Sequence, residues 1–257
     1  MSRIITITSG KGGVGKTTVT ANIGISLALK GYKVCLIDAD FGLRNLDIPL
    51  GLSNRIILDI SDYLQKLCSF NHIVVKHRTL KNLHLVPGSK KQVTEVEFLS
   101  FVEMLQEIDS LYDFILIDSP SGLESGFFYA INGADEVIIV ATPDKTALQD
   151  ADRVIGILES QNKQPLSLLV NGYKHNQEVD NILQLLNINI LGAIPSDADI
   201  IAANNKGNPI ALNPSLQSGV MFRKIASNLS KHHYNQRIDL PSYNQNFFTH
   251  RNLKLSF

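Results

Sequence analysis

The sequence predicts an α/β fold, a doubly wound and mostly parallel sheet, on three observations. Short, near-continuous runs of Val, Ile and Leu recur along the chain, as strands buried on both faces of a parallel sheet require. Segments of helical periodicity lie between them, so strands and helices alternate. A glycine-rich turn, residues 10–17, joins the first strand to the first helix.

Taken in order, residues 4–8 (Ile-Ile-Thr-Ile-Thr) form a β-branched strand, and residues 16–30 a helix with Val19, Ile23 and Leu27 four apart and Gly31 as its cap. Residues 34–37 are a second strand, ending at Asp38-Ala39-Asp40. Strand 83–86, helix 98–108 and strand 114–117 follow, the last running into Asp118-Ser119-Pro120-Ser121-Gly122, a turn cluster and candidate switch loop. Asp113 reads as a solvated turn residue. Strand 137–140, helix 147–161 and strands 166–170 and 188–193 complete the set. From about Gln236 the pattern lapses into Asn, Gln and Pro241, so the chain divides into a phosphate-loop domain, 1–235, and a tail, 236–257.

Composition narrows the function classes. With 44% hydrophobic and 19% charged residues, the 257-residue chain is globular, and disorder is excluded. Lys+Arg 24 balance Asp+Glu 24, which argues against a strongly basic nucleic-acid binder. Cys35 and Cys68 make neither a C-x-x-C pair nor a zinc site, and suit a reducing compartment. No apolar run approaches the ~20 residues of a membrane span. The β-branched start is unlike a signal or transit peptide, so the protein is expected to work where it is made, in a bacterial cytoplasm or a plastid. The seven histidines show no metal-ligand spacing and read as structural or solvated.

Gly10, Lys11, Gly12, Gly13, Val14, Gly15, Lys16 and Thr17 fit G-x-x-x-x-G-K-[ST] at every fixed position, between a strand and a helix as that motif requires. The glycines let backbone N–H groups turn toward phosphate oxygens, and the helix start adds partial positive charge. Lys16 would reach the β and γ phosphates, and the Thr17 hydroxyl would ligate Mg²⁺. Lys11 is an additional cation that a plain phosphate loop does not need. It is either a solvated lysine or a second charge for the nucleotide, and a side chain leaving this turn could serve a neighbouring subunit. Carboxylates beyond the ends of parallel strands are placed for chemistry. Asp38 and Asp118 could each hold a water on Mg²⁺, and Asp40 could orient or deprotonate the attacking water, although Asp38 and Asp40 would also serve as turn or helix-cap aspartates.

The motif from Lys11 to Thr18, with Asp38, Asp40 and Asp118, resembles the deviant-Walker P-loop ATPases of the MinD/ParA group, and within it the MinD family. Residues 42–47, 118–126, 150–158, 194–195 and 204–209 support that resemblance, which covers roughly residues 2–230. It implies a Mg²⁺-dependent ATP hydrolase, slow without an activator, whose ATP-bound form is a sandwich homodimer. Lys11 would cross to the partner's nucleotide, Asp40 would assist the water, and the segments 40–47 and 118–124 would sense the γ-phosphate. Thr18 belongs to the nucleotide-binding set. Asn171 falls at the adenine-reading position, though alone it reads equally as a turn residue, and Pro195 would line the adenine face. Helix 147–161 would carry part of the partner surface. The implied partners are a MinC-like division inhibitor and a MinE-like activator, and the implied role is placement of the division site in a cell or plastid, peripheral on the inner membrane surface.

Two features depart from the family. Gly172 follows Asn171 where a basic residue is common, and the chain end, 247–257, lacks a one-sided apolar helix face. Residues 223–257 still carry six Lys/Arg against one Asp, so the tail is either frayed or drawn to an anionic membrane surface. The competing reading is a DNA-partitioning ATPase of the same fold, against which the neutral charge and residues 42–47 argue. An iron–sulfur carrier would need cysteines this chain does not have, and intact Lys16, Asp40 and Asp118 argue against a nucleotide-locked scaffold. No specific nucleic acid is expected.

Overall fold

The structure, a computed structural model, describes residues 1–91, 95–123 and 125–231. In chain order the elements are β1 (Arg3–Thr8), α1 (Lys16–Leu29), β2 (Val34–Asp38), α2 (Ile60–Leu64), α3 (Phe70–Ile73), β3 (Val75–Lys76), β4 (Leu83–Val86), α4 (Glu95–Ile108), β5 (Phe114–Asp118) and α5 (Ser125–Asn132). Then come β6 (Glu136–Ala141), α6 (Lys145–Ser160), β7 (Leu166–Tyr173), α7 (Asn176–Leu185), β8 (Ile190–Pro195), α8 (Ala198–Asn205) and α9 (Gln217–Ser230). The strands form one eight-stranded sheet in the order β3-β4-β2-β5-β1-β6-β7-β8. Every pairing is parallel except β3 with β4. The doubly wound, mostly parallel fold class is what the sequence predicts.

Alternate residues of the central strands feed opposite layers, which explains their unbroken apolar sequences. Ile5, Ile7, Val34, Leu36, Phe114 and Leu116 pack with α1 and α9 on one face. Cys35, Ile37, Ile115 and Ile117 pack with α2, α3 and α4 on the other. Farther along, Val137, Ile139, Leu168 and Val170 meet α5, α6 and α7.

The helix α1 departs from the one-sided pattern. Eleven of its fourteen residues are buried, because α9 covers the side away from the sheet. Its polar residues are therefore paired: Asn22 Nδ2 donates to the Thr18 carbonyl at 2.8 Å, Ala211 N–H donates to Asn22 Oδ1 at 2.9 Å, and Ser26 Oγ donates to the Asn22 carbonyl at 2.7 Å. Gly24 lets the helix touch the sheet, since a Cβ there would lie 2.5 Å from a Leu36 methyl. Arg3 ties α9 to the sheet: its guanidinium donates to both carboxylate oxygens of Glu136 at 2.7 and 2.8 Å and to the Leu229 carbonyl at 2.6 Å.

Element boundaries differ modestly from expectation. α1 ends at Leu29, with Gly31 beyond it at φ 94° donating its N–H to the Ala28 carbonyl. α4 starts at Glu95, three residues before the periodic apolar stretch. α6 starts at Lys145 because the Asp144 carboxylate caps it, accepting from Ala147 N–H at 3.0 Å. β7 continues to Tyr173, and β8 runs from Ile190 to Pro195. The short helices α2, α3, α5, α7 and α8, the longer α9 and the two-residue β3 are additions. The predicted tail, 236–257, lies outside the described residues.

Candidate nucleotide site

The strand order places β5 between β2 and β1, and this brings three carboxyl ends together. Asp38 is the register partner of Asp118, which is also level with Ile7 of β1. Ligands in open parallel sheets collect at such a place, and the glycine loop crosses it.

The loop is held from several sides. The Ser9 hydroxyl donates to the Lys11 carbonyl at 2.7 Å, and Gly122 N–H donates to the Ser9 carbonyl at 3.2 Å, which ties the 119–122 turn to the loop. The Ser119 hydroxyl donates to Thr8 Oγ1 at 2.8 Å. A Cβ on Gly10 would lie 2.3 Å from the Asp150 carbonyl oxygen, so the loop rests directly on α6. Gly12 faces Ser121. Gly13 and Gly15 take left-handed φ values of 78° and 94°. Gly15 is the N-cap of α1, and no side chain caps that helix, so the first-turn N–H groups are left for an anion.

Lys16 is only 7% exposed. Desolvation pulls its pKa down, while the charges of Asp118 and Asp40 act to raise it. Asp118 is enclosed. Its Oδ1 is 3.2 Å from Thr20 Oγ1, and its Oδ2 has no hydrogen-bond partner among the described residues. Burial pushes Asp118 up to about 6, against the pull of the Thr17 hydroxyl, Lys16 and Thr20. Asp38 is pushed up to about 7, first by burial and then by the Asp118 charge. Both oxygens of Asp38 accept backbone N–H groups: Asp40 at 3.1 Å on Oδ1, Asn45 and Leu46 at 3.0 Å on Oδ2. Asp38 thus gathers the 40–46 loop around itself. Asp40 is half-buried and raised by desolvation, with Lys16 opposing.

Lys11 points away from Lys16. Its ammonium donates to Asp144 Oδ1 at 2.9 Å and to Thr146 Oγ1 at 2.8 Å, at the start of α6. The Thr142 and Thr146 hydroxyls, Lys11 and Ala147 N–H all hold the Asp144 carboxyl below the usual range. On the other side of the loop, Asn171 Nδ2 donates to the carbonyl of buried Val14 at 2.8 Å, and it would sit 2.4 Å from a Cβ on Gly15. Thr18 Oγ1 accepts from Asn204 Nδ2 at 2.7 Å. Pro195, buried at the end of β8, is level with Tyr173. Residues 10–18 thus form the loop and the start of α1, Asp40 and Asp118 lie within charge range of Lys16 with Asp38 level with Asp118, and Asn171 touches the loop, whereas Pro195 stands at the end of β8, three strands along the sheet from β1. Asp144, Thr146 and Asn204 are contributors that the sequence reading did not single out. Asp144, directly after a strand and three residues before Ala147, carried a helix-cap signal that could have been read.

The chain matches the AAA domain family AAA_31 over residues 2–171. It is 46% identical over 241 residues to the septum site-determining protein MinD of Synechocystis, an alignment covering 89% of this chain and 90% of that one. The chain belongs to the MinD family. Among solved structures, the MinC:MinD cell division complex of Aquifex aeolicus superimposes with a TM-score of 0.85 at 39% identity, covering 94% of this chain and 99% of that one. The septum site-determining MinD of Pyrococcus horikoshii, complexed with Mg-ADP, gives 0.79 at 28% identity, covering 90% and 97%. The family's fold agrees with the sheet described above, and its nucleotide chemistry agrees with the uncapped α1 and the buried Lys16.

Proposed function

We propose that this protein is a Mg²⁺-dependent ATPase that helps place the division site, in a bacterial cytoplasm or a plastid stroma and peripheral on the inner membrane surface. One observation carries the reading: the buried Lys16 ammonium, flanked by Asp118 and Asp40 beneath the free N–H groups of α1. Gly10, Gly12, Gly13, Val14 and Gly15 would wrap the phosphates, Lys16 would neutralise the β and γ oxygens, and Thr18 would extend the cradle toward the α-phosphate. Asn204 would orient Thr18. Asn171 and Pro195 would face the base.

The unpartnered Oδ2 of Asp118, beside Thr17, fits a hard cation that retains its waters. Thr17 directly, and Asp118 and Asp38 through water, would hold Mg²⁺, which when bound offsets charge on the phosphates. Both oxygens of Asp38 already hold the 40–46 backbone, so its larger share is to fix the loop that carries Asp40. Asp40, half-exposed, would orient the attacking water.

Lys11 is bound to Asp144 and Thr146 of its own chain. In this reading it exchanges that pairing for the nucleotide of a second copy when ATP joins two subunits. A MinC-like inhibitor and a MinE-like activator would then bind the dimer. The test is Asp40→Ala. We expect ATP binding to persist, hydrolysis to fall at least tenfold, and a stable dimer with ATP by gel filtration. Unchanged hydrolysis would refute the role of Asp40. ATP-dependent, salt-sensitive pelleting with DNA and none with vesicles would move the assignment to DNA partitioning.

A further inference from the structure

We infer that the end of the sheet opposite the phosphate loop carries a second anion site, fitted to the phosphate of an anionic phospholipid. The inference rests on the membrane-peripheral reading above and locates a contact for it in the folded domain.

A cavity of about 610 Å³ opens there. Lys33 precedes β2, Lys81 precedes β4, and Leu111 and Tyr112 precede β5, so these walls come from the amino ends of strands. Lys76 of β3 stands beside His84 in the antiparallel register and closes another side. The three lysines are exposed, and none has a carboxylate within 4.0 Å among the described residues. The nearby Asp113 carboxylate accepts the Lys33 backbone N–H at 2.7 Å and leaves its ammonium free. Their charge is felt inside: His84, hydrogen-bonded to Tyr112 Oη at 2.8 Å, has its pKa lowered by burial and then by Lys76 and Lys33.

The floor is apolar. Phe70 and Tyr112 are buried beneath it, and Leu111 stands at the rim 49% exposed. Three ammonium groups around an apolar floor suit a phosphate attached to a greasy body. A free phosphate would use the lysines but not Leu111.

Position favours the same ligand. The last turn of α9 is fastened at this end of the molecule, by Arg3 to the Leu229 carbonyl and by Lys30 Nζ to Ser227 Oγ at 3.4 Å. Lys231, the last described residue, follows that turn, and the sequence beyond it carries Arg237, Arg251 and Lys254 against Asp239, charge that would add to the attraction of an anionic surface.

The test uses the full chain with ATP. Phosphatidylglycerol-containing vesicles are compared with pure phosphatidylcholine vesicles. At about 1 kcal/mol for each basic residue near an anionic surface, the combined Lys33→Gln, Lys76→Gln, Lys81→Gln variant should bind phosphatidylglycerol vesicles on the order of a hundredfold more weakly. It should retain nucleotide binding, which shows it is folded. The chain has no Trp, so Leu111→Trp adds a single reporter at the rim. Its emission should shift blue with these vesicles and stay unmoved with millimolar inorganic phosphate. Wild-type affinity in the triple variant would overturn the proposal. So would an equal response of the reporter to inorganic phosphate, which would make this a free-phosphate site. A Phe247→Ser, Phe248→Ser variant separates the tail: full binding there with loss in the triple variant refutes tail docking alone, and the converse refutes the cavity alone.

Discussion

Replacing Asp118 by Asn removes a buried charge while keeping the shape of the side chain. Burial lifts this carboxyl from 3.8 to about 6, a value that already includes the attraction of Lys16, Thr17 and Thr20. Two units correspond to about 3 kcal/mol of penalty for the charged form at pH 8. The amide retains an acceptor for Thr20 but leaves an N–H group without a partner, which costs about 1 kcal/mol. The net expectation is a gain of about 2 kcal/mol at pH 8. The sign follows from linkage. A carboxyl raised in the folded state contributes its full stability below its unfolded pKa and loses it as pH rises through the folded value. Wild type therefore weakens between about pH 4 and pH 6 from this group, and Asp118→Asn does not. The advantage of the variant should shrink to near zero by about pH 4.5. The assay is urea unfolding by circular dichroism, without nucleotide and with a chelator. At about 2–3 kcal/mol per molar urea, the midpoint should rise by roughly 1 M at pH 8. An equal or lower midpoint at pH 8, or a gain independent of pH, would refute the reasoning. The same variant should lose Mg²⁺-dependent nucleotide binding.

Lys16→Ala should abolish ATP binding measured by calorimetry, with the fold retained by circular dichroism; binding within threefold of wild type would remove Lys16 from the site. Gly15→Ala must hold an L-residue at φ 94° with its Cβ 2.4 Å from Asn171 Nδ2. It should lower Tm by roughly 4–8 °C, for about 2 kcal/mol in a chain of this size, and weaken nucleotide binding as well. Arg3→Ala removes the bidentate guanidinium from the buried Glu136 carboxylate and the tie to the Leu229 carbonyl of α9, and should cost about 3–5 kcal/mol in chemical unfolding. Adding Glu136→Gln should recover part of that loss, because it removes the buried charge that Arg3 offset.

The legible parts of this chain are those where local chemistry and global position agree. The segment from β1 through the loop into α1 could be read because its glycines meet a backbone need and its flanks have opposite periodicities. Asp38 and Asp118 could be read because each ends an apolar strand. That they are register partners could not, since it depends on β5 inserting between β2 and β1, a fact of tertiary order. The α1 helix showed Val19, Ile23 and Leu27 as one face, whereas burial surrounds it, because α9 arrives from nearly two hundred residues away to cover the other side. In α9 itself Met221, Phe222, Ile225, Ala226 and Leu229 hold a helical spacing, interrupted by enough Ser, Asn, Arg and Lys to hide it. The two-residue β3 has too little sequence to carry a period. Lys11 was legible as an unusual cation, but its resting partners, Asp144 and Thr146, lie more than 130 residues along the chain.

The covering of α1 on both sides has a consequence for motion. A helix wedged between a sheet and another helix exchanges its amide hydrogens only when the whole domain opens. The buried body of α1, Val19 to Ala28, should therefore be among the slowest-exchanging parts of the molecule, while its uncapped first turn stays open. In the proposed function, displacement accompanying nucleotide turnover would then fall on the 40–52 and 119–122 segments. The first of these includes Arg44, held at φ 49°, and Gly51, whose Cβ would meet the Gly207 carbonyl at 2.5 Å. Motion there would pass directly to the end of α8, so a signal from the γ-phosphate would reach the outside of the protein through the seam between two glycines.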